Sequence, residues 1–260
     1  MTNLYIGFDW DGTLSLPGVP HSPELGSAIG QLRKQGAKIF IASGRSYAEL
    51  QPRCAELGLD IWMYCCENGG HIVIPSRNID HESSALSTDF QTFLHAVPTL
   101  PLPPGEQEAR CSVWSMVFGE HVLQAQRAIS NFIETHHLDL QVFVHPGVDG
   151  GVDVVPANID KVHLMDYLEE DAQVVFFGDS HNDFKLMSHP QVQPHTVANA
   201  IAAILHLVRQ RAGHIATLPA NQGVAELLHK LGKTLGLADL HRIRHGLKEG
   251  FRQSQSISFA

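Results

Sequence analysis

Long apolar runs are missing from this 260-residue sequence. None approaches the roughly 18 residues that cross a bilayer, so there is no candidate membrane-spanning helix. Cysteine is scarce as well. Cys54, Cys65, Cys66 and Cys111 are the only four, and no two are spaced CxxC. That argues against a disulfide framework or a zinc ribbon and for free thiols, with Cys65-Cys66 inside an apolar run. Basic residues are outnumbered: 18 Lys and Arg face 27 Asp and Glu, a formal net charge of −9. Such a chain has no long-range attraction to nucleic acid or to an anionic membrane. Small anions bind it only where local groups or a metal reverse the field. The 17 histidines include no HExxH, and none is assigned to a metal. Neither an internal repeat nor a low-complexity tract is present. Met1-Thr2-Asn3 leads straight toward a strand, without a basic region or a cleavage site, so the expectation is a soluble, cytoplasmic protein.

What is present is a core. Apolar residues make up 43% of the chain, and several runs end abruptly in polar residues or glycine. Residues 4–8 end at Asp9, 37–42 at Ser43-Gly44-Arg45, 61–66 at Glu67-Asn68-Gly69, 174–177 at Gly178-Asp179, and 196–197 at Asn199. Uninterrupted apolar runs fit strands covered on both faces. Helical spacing lies between them, at 23–35, 46–57, 161–168, 201–211 and 224–231. Strand–helix alternation predicts an α/β fold, a Rossmann-like open parallel sheet, whose ligands bind beyond the carboxyl ends of the strands. The alternation breaks at about residue 72. From there to 158 the sequence has its own helices (84–97, 122–136) and strands (111–118, 141–145, 152–155), read as an inserted α+β domain. The core is then 1–71 with 159–232, and 233–260 reads as a basic helical tail.

The polar ends carry the chemistry. Asp9-Trp10-Asp11-Gly12-Thr13 would put two carboxylates on one side of an extended chain, although Asp-Gly is also an ordinary turn. Two close carboxylates repel unless a cation or a shared proton intervenes. A carboxylate can attack phosphorus, and a second can protonate the leaving oxygen and later activate water. Gly178-Asp179-Ser180-His181-Asn182-Asp183 adds oxygen donors of the kind Mg²⁺ prefers, or else a helix cap. Asp9 and Asp179 are candidate direct ligands and the Asp11 carbonyl a third, with Asn182 and Asp183 holding waters or the loop. Ser43 with Gly44 can bind a phosphoryl oxygen at a helix start. Lys161 can neutralise the phosphoryl group and Asp9. Each alone is more often a capping serine or a surface lysine; together they point at one crevice.

As a set, Asp9-x-Asp11-Gly12-Thr13, Ser43-Gly44-Arg45, Lys161 and Gly178-Asp179-x-x-Asn182-Asp183 resemble the four motifs of the haloacid dehalogenase superfamily. The long insertion resembles the C2-type cap of its IIB branch, which includes Cof-like, sucrose-phosphate and mannosyl-3-phosphoglycerate phosphatases and the phosphomannomutases. The resemblance spans roughly residues 3 to 232; Val162 stands where many members have glycine. It implies a Mg²⁺-dependent phosphomonoesterase working through an aspartyl-phosphate. Asp9 would be nucleophile and Asp11 acid and base, with Thr13, Ser43, Gly44, Arg45, Asn68 and Lys161 around the phosphate or substrate. The implied substrate is a small phosphorylated metabolite, a sugar phosphate of the sucrose-phosphate, mannosylglycerate-phosphate or hexose-phosphate type. Nucleic acid and membrane are not expected partners, and the protein is expected as a monomer or homodimer. A phosphomutase is the alternative, weakened by the lack of a cap arginine cluster. A phospho-aspartate signalling or phosphate-sensing module is the second, weakened by Asp11. In the cap, Arg110, His145 and Asp149 are sugar-contact candidates that read first as solvated loop residues.

Overall fold

Strands made almost entirely of apolar residues need cover on both faces, and four such strands lie side by side in the computed structural model, which describes residues 3–83, 87–145 and 150–234. They are β1 (Leu4–Phe8), β2 (Lys38–Ala42), β3 (Met63–Cys66) and β10 (Gln173–Phe177). Three more complete the sheet: β4 (His71–Ile74), β5 (Ile79–Glu82) and β11 (Val192–His195). The strand order is β11-β10-β1-β2-β3-β4-β5. The first five are parallel, and β4 and β5 return antiparallel at one edge. Ile6 of β1, the middle one of the five parallel strands, stands between Val175 and Ile39. Because the strands run in register, the residues just past β1, β2, β3 and β10 emerge along one edge. Those are Asp9, Ser43, Glu67 and Gly178-Asp179.

Side chains alternate across the sheet. Ile6, Phe8, Ile39, Ile41 and Phe177 face α1 (Pro23–Lys34), α2 (Tyr47–Glu56) and α7 (Ala220–Thr234). Tyr5, Phe40, Val174 and Phe176 face α5 (Phe184–Ser188) and α6 (Ala202–Gln210). Each fully buried large apolar side chain contributes about 1.5–3 kcal/mol of transfer free energy, which makes these two layers the main cohesive term.

A second, four-stranded antiparallel sheet has the order β6-β7-β9-β8: β6 (Glu106–Glu108), β7 (Trp114–Val117), β8 (Leu140–His145) and β9 (Gly151–Pro156). Trp114, Val152 and Val154 pack under α3 (Thr88–Ala96) and α4 (Val122–Thr135) with Phe90, Phe93 and Ile129. Alternation turns Ser115, Phe143 and Asp153, which lie opposite one another, to the other face. This unit is fastened to the large sheet at the end of β3. The buried Glu67 carboxylate accepts the backbone N–H of Cys111 (2.9 Å) and of Ser112 (2.7 Å), and Ser112 Oγ donates to Gly70 O at 2.8 Å.

Several expectations shift. The sequence places the start of the insertion at 72, yet His71–Ile74 and Ile79–Glu82 are strands of the large sheet. The chain folds back through a tight turn in which Glu67 and Asn68 take φ of 51° and 56°. The 161–168 helix is a 3₁₀ segment, Lys161–Tyr167. The strand expected at 196–197 lies earlier, at β11, where edge position tolerates Pro194. Residues 235–260, most of the expected tail, and Asp149 lie outside the described residues. No helix among the described residues is long and apolar enough to cross a membrane.

Candidate active site

Asp9 leaves β1 with its N–H still bonded to Phe177 O at 2.8 Å, so the end of β1 is fixed to β10. The chain then turns. Leu14 N–H and Ser15 N–H both donate to Trp10 O (2.9 and 2.8 Å). Gly12 has φ +82°, and a Cβ there would overlap the Asp179 carboxylate, so the turn requires glycine. Asn199 Nδ2 holds Gly12 O at 2.8 Å, while its Oδ1 accepts Ala220 N–H at 2.8 Å, anchoring the loop to α7.

Three carboxylates meet there. Oxygens of Asp9, Asp179 and Asp183 lie within 4.8 Å of one another, all buried. Lys161, fully buried, donates through Nζ to Asp9 Oδ1 and Asp183 Oδ1, each at 2.8 Å. Thr13 Oγ1 donates to Asp179 Oδ1 at 3.0 Å. The other oxygen of Asp183 accepts the N–H groups of Asp179 (2.9 Å) and Ser180 (3.1 Å), so Asp183 shapes its own loop. Gly178 must be small, because a Cβ there would stand 2.6 Å from Asp183 Cγ.

Burial drives the Asp9 carboxyl well above the usual range; Lys161 pulls it back, and Asp183 and Asp179 raise it again. Burial and the neighbouring Asp183 push Asp179 up to about 7. Lys161 keeps its proton more firmly than an ordinary lysine, since Asp183 and Asp9 outweigh its desolvation. Three carboxylates against one ammonium leave an excess of negative charge in a buried, all-oxygen donor set. Hard divalent cations suit such a set.

Ser43 is buried at the end of β2. Its Oγ accepts the Arg45 N–H at 3.2 Å, and its carbonyl accepts Asn68 N–H at 2.9 Å. Asn182 Nδ2 donates to Asn68 Oδ1 at 3.0 Å, linking the loop after β3 to the loop after β10. The cluster thus joins Asp9, Asp179, Asp183, Lys161 and Thr13, with Ser43, Gly44, Asn68 and Asn182 alongside. Asp11 departs from its expected place. Residues i and i+2 share a side only in extended chain, and the turn at Trp10 ends the strand. The Asp11 carboxylate is half exposed and grips Arg45 bidentately, Nε to Oδ2 at 2.7 Å and Nη2 to Oδ1 at 2.8 Å. Arg45 also reaches Glu49 at 3.1 Å.

Three polar residues of this region escaped the motif reading: Asn199, Glu67 and Asp153. Asn199 and Glu67 each follow the end of an apolar run, a position that could have flagged them. Asp153 sits inside a strand and carried no signal. A second group, Glu67, His71 and Cys111, also has donor atoms within 4.8 Å of one another. Both Glu67 oxygens, however, already accept backbone N–H groups, which makes it a clasp. The thiols of Cys54 and Cys65 are pushed up to about 12 by burial, so they are inert as nucleophiles.

Residues 6–99 match a family described as haloacid dehalogenase-like hydrolase. A curated relative, 5-amino-6-(5-phospho-D-ribitylamino)uracil phosphatase YbjI of Escherichia coli (strain K12), is 25% identical over 90% of this chain and 97% of its own length. A phosphomannomutase of Arabidopsis thaliana is 23% identical over 74% of this chain and 90% of its own. Among solved structures, the sucrose-phosphatase of Synechocystis sp. PCC6803, in complex with sucrose and phosphate, superposes with a TM-score of 0.66 at 20% identity. That match covers 88% of this chain and 98% of the other.

Proposed function

We propose that the chain is a phosphoric monoester hydrolase of the haloacid dehalogenase superfamily, subfamily IIB, and that it uses Asp9 as nucleophile, with Mg²⁺, on a phosphorylated sugar or polyol. The observation that carries the reading is Lys161, buried between Asp9 and Asp183 with Asp179 beside them, at the adjoining ends of β1 and β10.

An Asp9 oxygen attacks phosphorus, forming the acyl phosphate as the bond to the leaving oxygen breaks. Asp11 delivers the proton to that oxygen once substrate draws Arg45 from it. Asp11 then takes a proton from the water that attacks phosphorus, releasing phosphate and restoring Asp9. Ser43 and Lys161 hold the phosphoryl oxygens, and the start of α2 adds backbone N–H groups. Asp9 and Asp179, with the Asp11 carbonyl, would hold Mg²⁺, backed by Asp183 and Asn182. Bound there, the ion offsets the negative charge shared by carboxylates and phosphate. The second sheet with α3 and α4 serves as the cap that covers the crevice. Free cysteines fit the reducing cytoplasm as its setting.

The relatives support the substrate class: one acts on a phosphorylated ribityl compound, another binds sucrose and phosphate. The test is phosphate release from a panel of hexose, disaccharide and pentitol phosphates with Mg²⁺, comparing wild type with Asp9→Asn. Release that disappears with a chelator and in the variant is the expected result. No release from any compound by folded wild-type protein overturns the reading.

A further inference from the structure

The cap face that looks down on the crevice carries a deep polar contact against the core. Asp153 is almost fully buried although it lies on β9 of the cap. Its Oδ2 lies 3.3 Å from the point a Cβ on Gly44 would occupy, directly after Ser43. Asn68 Nδ2 lies 3.3 Å from that same point. This amide nitrogen is buried, yet it has no hydrogen-bond partner among the described residues. His145, at the end of β8, places Nε2 3.1 Å from Asp153 Oδ2 and leaves about half of its side chain open. A donor, an acceptor and an imidazole therefore converge from core and cap beside the proposed phosphate-binding Ser43. Asn68 is held in position by its φ of 56° and by Asn182.

Charge narrows what fits. Between residues 83 and 158 the only cationic side chains besides histidine are Arg110 and Arg127. Arg110 is buried against Glu49 (2.6 Å) and Glu108 (3.1 Å). Arg127 is exposed on α4, which covers the opposite face of the cap sheet. His145 is matched by Asp153. No unpaired arginine or lysine of the cap is thus available to a second phosphate, and Asp153 repels one.

We propose that Asn68, Asp153 and His145 form the subsite for the alcohol part of the substrate, and that they select an uncharged polyhydroxy group over one that carries a second phosphate. Asp153 accepts a hydroxyl hydrogen, and Asn68 Nδ2 and His145 donate to hydroxyl oxygens. The inference rests on the phosphatase reading above.

The experiment compares kcat/KM for sorbitol 6-phosphate, glucose 6-phosphate, fructose 1,6-bisphosphate and 4-nitrophenyl phosphate. It uses wild type, Asp153→Asn and His145→Gln, each checked for fold by circular dichroism. Wild type should favour the better monophosphate over the bisphosphate by about tenfold or more. In Asp153→Asn the ratio of polyol monophosphate to 4-nitrophenyl phosphate should fall roughly 10- to 100-fold, the size of a lost hydrogen bond to a charged group. The gap to the bisphosphate should narrow with it. A merely structural role would lower turnover of both esters together and leave the ratio fixed. If Asp153→Asn does not fold, the half-exposed His145→Gln carries the same test. An unchanged ratio in the folded variants, or a wild-type preference for the bisphosphate, overturns the subsite. Failure of wild type on all four esters, the aryl ester included, overturns the phosphatase reading and the subsite with it.

Discussion

Lys161 is the residue on which the electrostatics of the site turn. An ammonium with no exposure needs partners, and it has Asp9 and Asp183 at 2.8 Å each. Removing it leaves two buried carboxylates facing one another. Lys161→Met is therefore expected to cost about 3–5 kcal/mol in denaturant melts and to abolish phosphate release. Mg²⁺ should raise the melting temperature of this variant more than that of wild type, because a cation then substitutes for the lost charge; equal shifts would count against a metal in this cluster. Asp11 behaves differently, since it is half exposed and held by Arg45. Asp11→Asn should fold normally yet lower kcat by about 10²- to 10⁴-fold, the usual size of general acid–base catalysis. A normal kcat in a single-turnover assay would remove Asp11 from the mechanism.

At the scale of elements, the turn from β3 into β4 joins the two sheets through the Glu67 carboxylate and the Ser112 Oγ–Gly70 O bond. Glu67→Gln keeps the shape but replaces a charged acceptor by a neutral one. Amide hydrogen exchange at Cys111 and Ser112 should speed up roughly 10- to 100-fold, with the β1 amides unaffected. Unchanged exchange at both would show that the clasp does not hold the cap. This turn also shows where the sequence stops being readable. The apolar runs of β1, β2 and β10 are long enough to declare buried parallel strands, and the motif residues at their ends meet where those ends adjoin. β4 is a four-residue run that follows β3 too closely to read as a separate strand, so the sequence pattern places it in the insertion. β6 is Glu-Gln-Glu, with no apolar pattern at all. Asp153 sits at an inward position of a strand, and only three-dimensional pairing shows that this face lies against Gly44. The Asp11 side chain departs from its expected side because the two-residue rule holds only while the strand lasts.

Across the whole molecule, acid should act through His195. Its ring is buried between Phe177 and His214, and its Nδ1 accepts the His214 N–H at 2.9 Å. Burial, then the neighbouring His214, lowers its pKa to about 3, against roughly 6.5 when unfolded. Below pH 6.5 the unfolded chain binds a proton that the folded one refuses. The contribution is therefore intact above that pH and fades as pH falls toward 3, by about 1.4 kcal/mol per unit. Wild type should lose roughly 2 kcal/mol more than His195→Gln between pH 6 and pH 4.5 in thermal melts. Parallel pH profiles for the two proteins would refute this. The strand order has a consequence for synthesis as well. β1 is the middle one of the five parallel strands, but its neighbour β10 begins only at Gln173. At the usual 5–20 residues per second, β1 and β2 wait on the ribosome for about 10–30 s with one edge of β1 unpaired. A nascent chain stalled before residue 173 would present that apolar edge to chaperones or to its neighbours on a polysome, and release from that hazard would come only with β10.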